Sequence, residues 1–201
     1  MTSQPVYDLT SARGLRERDA DTTRRRIPPA FRDADASDPR VIAWCDALAA
    51  TAAGTGSGTM PSLLITGPTG VGKTWQAYGA IRRITAAVPV PWLASTAADL
   101  YGRLRPGDGR DTEAELARWC RTPLLMVDDL AAAKDSAWTE DIDYRLVNYR
   151  SAHLLPSIFT TNLPVRGDGP SLESALSERV FSRLATSRVV VLKGADRRRT
   201  R

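Results

Sequence analysis

The sequence predicts an α/β domain in which helices cover both faces of a parallel β-sheet. Two observations carry this reading. From Met60 onward, short apolar runs alternate with segments of helical period, the pattern of repeated strand–helix–strand units. Within that pattern, the apolar run Leu63-Leu64-Ile65 leads directly into Gly67-Pro68-Thr69-Gly70-Val71-Gly72-Lys73-Thr74, and a helical pattern follows it. With 201 residues, 42% hydrophobic and 25% charged, the chain has material for one principal domain.

Taken in order, residues 1–26 are polar, end in Arg24-Arg25-Arg26 and show no apolar period, so a flexible arm is expected there. A second unit spans 27–59. Ile27-Pro28-Pro29-Ala30-Phe31 reads as extended, and Asp38-Pro39 starts a helix at Arg40 with Val41, Trp44, Cys45 and Leu48 on one face. Thr55–Thr59 is a Gly/Ser linker. The core is assigned to 60–193, with strands at 62–66, 90–95, 123–128, 156–161 and 188–192. Helices are expected at 73–87, 97–105, 111–121, 139–152 and 171–186, with a turn at Pro106–Gly109. Residues 194–201 form a basic tail. Residues 188–201 carry the whole of the net charge of +5, which suits a nucleic-acid backbone and equally a solvated chain end.

The glycine-rich stretch completes G-x-x-x-x-G-K-T, the pattern of a triphosphate site. Gly67, Gly70 and Gly72 let the backbone turn its N–H groups toward phosphate oxygens. Lys73 adds a charge for the β- and γ-phosphates, Thr74 offers a hydroxyl to Mg²⁺, and the following helix points its positive end at the same anion. Pro68, Thr69 and Val71 complete the loop. A second element, Pro123–Leu130, is an apolar strand delivering Asp128 and Asp129 at its carboxyl end, where open α/β sheets bind ligands. Asp128 suits Mg²⁺ and Asp129 suits polarising water, although adjacent aspartates are also common turn residues. The third element, Ser157–Asn162, brings Asn162 to a strand end. Thr-Asn-Leu-Pro reads equally as strand-to-turn punctuation.

The order of these elements resembles the DnaC/IstB-like AAA+ ATPases over about residues 27–199. Trp138-Thr139-Glu140, Val147-Asn148-Tyr149-Arg150 and Glu178-Arg179-Val180-Phe181-Ser182-Arg183-Leu184 add to the likeness. The resemblance implies an α/β P-loop NTPase fold of AAA+ (ASCE) type, ATP and Mg²⁺ as ligands, and ATP hydrolysis that is slow and stimulated by assembly or DNA. It implies Lys73 and Thr74 as Walker A, Asp128 and Asp129 as Walker B, Asn162 as sensor 1 and Arg183 as arginine finger, with Arg179 next in line. Implied partners are a replicative DNA helicase, single-stranded DNA and further copies of the chain. A transposase is the client in an IstB-like alternative. Residues 163–201 alone follow Asn162, so little or no lid domain is expected, and Arg198 only loosely suits a sensor 2 position.

The helix at 171–186 supports the finger physically. Leu172, Leu176, Val180 and Leu184 form an i, i+4 stripe, and Arg179 and Arg183 share its flank, where they also suit the rim of a core. A small-molecule kinase is the rival of another class, since kinases also join a phosphate loop to an α/β sheet. Cys45, Cys120 and His153 lack metal-ligand spacing. The cysteines read as buried thiols and His153 as a helix C-cap. Trp92, Trp119 and Trp138 read as core before base-stacking residues. No run reaches the roughly 18 apolar residues of a membrane span, and a cytoplasmic protein is expected.

Overall fold

The computed structural model describes residues 21–56, 60–107, 109–132 and 136–196. Five parallel strands form one sheet: β1 (Leu63–Thr66), β2 (Trp92–Thr96), β3 (Leu124–Asp128), β4 (Ser157–Thr161) and β5 (Arg188–Val191), in the order β2-β3-β4-β1-β5. Side chains alternate across it as strand geometry requires. Leu63, Ile65, Leu124, Met126 and Ile158 join one core, while Leu64, Leu125, Val127 and Phe159 join the other.

The first core lies under α2 (Pro39–Ala52) and α3 (Lys73–Ala87), and the second under α4 (Ala97–Leu104), α5 (Thr112–Arg121), α6 (Ala137–Ala152), α7 (Leu172–Ala175) and α8 (Glu178–Leu184). Local chemistry sets these ends. Asp38 caps α2 through the Arg40 N–H with Pro39 at the first turn, so the helix begins one residue before the expected Arg40. Ser136 and Thr139 form a reciprocal capping box that starts α6 at Ala137, two residues before the expected 139.

Three expectations change. Pro29–Phe31, expected to be extended, form a short 3-10 helix in which Phe31 N–H donates to Pro28 O. Residues 21–26, grouped with the flexible arm, are helical (α1): Thr23 is buried and accepts a hydrogen bond from Trp92 Nε1, and the Arg26 guanidinium stacks over the Trp92 ring. Residues 1–20 lie outside the described residues, as do 197–201 with Arg198. The helix expected at 171–186 is two helices, because Leu176 and Ser177 are extended (ψ 153° and 151°) and Ser177 starts α8. The first helix closes at the Leu176 C-cap, whose N–H donates to Leu172 O, and Ser177 precedes α8 without a side-chain capping bond. The break turns Phe181 inward, and Leu176 is left half-buried, so the stripe is not continuous.

Arg150 ties the second layer to the sheet. Its side chain is 2% exposed, and its guanidinium donates to the carbonyls of Trp119, Cys120 and Thr122 at the end of α5, to Pro156 O and to Ser157 Oγ. The last carbonyls of a helix have no internal partner, and a cation there also meets the negative end of the helix dipole. Burial lowers the Arg150 pKa to about 10, which leaves it charged at neutral pH.

Candidate nucleotide site

The strand order sets the carboxyl ends of β1, β4 and β3 side by side, and these ends carry the loop 67–74, Asn162 and the two aspartates. Gly72 is left-handed (φ 99°) at the N-cap of α3, a conformation that glycine adopts without steric cost. Val71 is buried in the first core and anchors the loop, while Pro68 and Thr69 are exposed.

Lys73 is 5% exposed, and its ammonium donates to the carbonyls of Gly67 and Pro68 (both 2.9 Å) and to Asn162 Oδ1 (2.6 Å). Asn162 Nδ2 in turn faces Asp129 Oδ1 at 3.4 Å, and Thr69 Oγ1 faces Asn162 Oδ1 at 3.4 Å. Thr74 Oγ1 lies 3.1 and 3.0 Å from the two oxygens of Asp128. Five residues named from the sequence, Lys73, Thr74, Asp128, Asp129 and Asn162, thus form one connected cluster.

Thr160 was not singled out by sequence reasoning. It is fully buried on β4, donates to Asp128 Oδ1 at 2.5 Å and accepts the backbone N–H of Asp129 at 3.0 Å. Leu130 N–H donates to Thr160 O and Thr161 Oγ1 donates to Leu130 O, so β4 holds the whole turn after β3. Asp129 occupies the left-handed region (φ 53°), which costs a non-glycine residue free energy and is held here by these bonds. The only signal in the sequence was a threonine inside an apolar strand, which burial alone does not favour.

Burial raises the Asp128 pKa above the ordinary carboxylate range. The Thr160 and Thr74 hydroxyls oppose this, and the charge of Asp129 adds to it. The donor set is hard oxygen: a buried carboxylate in unfavourable surroundings beside a threonine hydroxyl, the chemistry that suits Mg²⁺. Among the described residues no group of three or more His, Cys, Asp and Glu could hold a metal, and Mg²⁺ held by one carboxylate and one hydroxyl would complete its octahedron with water or phosphate oxygens.

Arg183 is not brought to this cluster. It lines a cavity of about 260 Å³ with Ser62, Ser157 and Ser187, at the amino end of the sheet. Its guanidinium and that of Arg179 stand over the Tyr144 ring, 5.5 and 5.9 Å from its centroid, and Arg183 Nη1 donates to Arg179 O. His153 is the C-cap of α6, with Nδ1 2.8 Å from Tyr149 O and its ring stacked on Tyr149. Both cysteines are buried and free; desolvation raises both thiols, Cys45 to about 12, so neither is a thiolate nucleophile. Trp92 and Trp119 are buried, which removes them as platforms for bases. No described helix is long and apolar enough to cross a membrane.

Strand order, phosphate loop and aspartate strand together define a P-loop fold of AAA+ type. No family model and no curated protein matches the sequence. Among solved structures, the crystal structure of DnaI covers 86% of this chain and 94% of its own at 21% identity and TM-score 0.65. The DnaC helicase loader covers 66% of this chain and 78% of its own at 28% identity and TM-score 0.58. AMPPCP-bound DnaA from Aquifex aeolicus covers 87% of this chain and 53% of its own at 16% identity and TM-score 0.62. The likenesses to DnaI and DnaA are of fold. The likeness to DnaC, at 28% identity, supports the DnaC/IstB-like AAA+ family that the motif order indicates.

Proposed function

We propose that the chain binds ATP with Mg²⁺ on the loop 67–74, hydrolyses it, and uses that cycle to load or remodel a replicative helicase on DNA. The observation that carries this reading is the cluster to which the first turn of α3 and the carboxyl ends of β3 and β4 each contribute polar groups. Loop amides and Lys73 suit the phosphates, and Thr74 and Asp128 are the residues that would hold Mg²⁺, which supplies charge neutralisation on the phosphate oxygens when bound. Asp129 and Asn162, whose side chains face each other at 3.4 Å, suit the orientation of a water attacking the terminal phosphate. Arg183, remote from its own cluster, suits an action across an interface between copies. The helicase client rests on the likeness to the DnaC helicase loader, which favours a helicase over a transposase.

The test is ATP turnover with and without single-stranded DNA and a replicative helicase, on wild type and Lys73→Ala. Turnover that rises with either partner and is lost in the variant is expected. Phosphate transfer to a small acceptor, with no response to DNA or helicase, would replace this reading by a kinase.

A further inference from the structure

The chain after β5 runs along the phosphate loop. Leu192 N–H donates to Thr66 O at 2.7 Å, and Arg40, held by Asp38, donates to Val191 O at 3.1 Å, which pins the start of this segment. Leu192 then passes so near Gly67 that a Cβ built there would stand 2.3 Å from its carbonyl oxygen. Four residues on, the contact repeats with a side chain: a Cβ at Gly70 would stand 1.9 Å from Asp196 Oδ1 and 2.2 Å from its Cγ. A carboxylate therefore lies against the central glycine of a loop whose backbone suits anions. Gly70 has φ 82°, a conformation that brings backbone N–H groups into such anion-binding nests.

We propose that Asp196 is an affinity-setting gate on the phosphate loop, and that binding a nucleoside triphosphate displaces the segment 193–196. This rests on the reading of 67–74 as a triphosphate site. A carboxylate beside Gly70 and a triphosphate on the same loop are like charges within a few ångströms, close enough for salt to screen them only in part. The segment is tied to the end of β1 by the bond from Leu192 N–H to Thr66 O, so its movement is confined to the residues beyond that point. Nucleotide state is thereby written into the position of residues 193–196.

The experiment measures binding of a slowly hydrolysed ATP analogue, with Mg²⁺, to wild type, Asp196→Asn and Lys73→Ala by calorimetry. A second readout is trypsin cleavage after Lys193 with and without the analogue. Asp196→Asn is expected to bind about tenfold tighter, and cleavage of wild type after Lys193 is expected to speed up when the analogue is present. Equal or weaker binding by Asp196→Asn, or cleavage that the analogue leaves unchanged or slows, overturns the gate. The nucleotide site itself stands in that case if Lys73→Ala loses binding that wild type shows. No binding by wild type overturns both.

Discussion

Replacing Thr160 by valine keeps the shape of a fully buried side chain and removes only its hydroxyl. That hydroxyl does two things: it donates to Asp128 and accepts from the Asp129 N–H. A hydrogen bond to a charged group contributes about 1.5–3 kcal/mol, and an orphaned buried donor costs about 1–3 kcal/mol. Partial relaxation of the turn brings the expected loss to roughly 3 kcal/mol. For a chain of this size each kcal/mol moves the melting temperature by about 2–4 °C, so a fall of roughly 6–12 °C is expected. Removing a donor that favours the ionised form also pushes the Asp128 pKa further up, so protons compete harder with Mg²⁺ and metal-dependent nucleotide binding shifts to higher pH. Thr160→Ser keeps the hydroxyl and should lose only about 1 kcal/mol, for the deleted methyl. The assays are urea denaturation and Mg²⁺ titrations of nucleotide binding across pH. A valine variant within about 0.5 kcal/mol of wild type, with an unchanged Mg²⁺ titration, would refute the bridging role.

Asp128→Asn is expected to stabilise the metal-free protein by about 1 kcal/mol at pH 7.5 while weakening Mg²⁺-dependent binding. Its folded pKa is raised, so the cost of ionisation is absent below the ordinary carboxylate pKa and fully present above the raised one. Denaturation at the two extremes should show the gain only at the higher pH. Arg150→Met leaves the carbonyls at the end of α5 and Ser157 Oγ without their donor and should cost about 3 kcal/mol or more. Arg150→Lys should recover only part, since one ammonium cannot replace a planar fork; thermal melts decide. Arg183→Ala should bind ATP as wild type does yet hydrolyse it poorly, and mixing it with Lys73→Ala should restore some turnover. Concentration-independent turnover with a fully active Arg183→Ala would assign Arg183 to packing on Tyr144 alone.

Much of the site was legible because its chemistry is local. Gly67 to Thr74 are consecutive residues that lead into the first turn of α3, and that helix spans Lys73–Ala87 as its apolar period predicts. The strands fall within two residues of their expected bounds, and for β1, β3 and β4 burial on both faces produces the continuous apolar runs with sharp polar ends. In the sequence an i, i+4 stripe runs through Leu176, whereas the extended backbone at Leu176 and Ser177 breaks the expected helix at 171–186 and lets Phe181 be buried. Thr160 and Asp128 are 32 residues apart in sequence and Arg150 lies 28 from Thr122. Their roles exist only once adjacent strands place one polar group against another inside the core. The sequence by itself determined the phosphate loop, the sheet and the identity of the acidic pair. Tertiary structure alone decided what holds Asp129 left-handed, what lies against Gly70, and that Arg183 stands at the far end of the sheet, because each depends on long-range packing that no local pattern encodes.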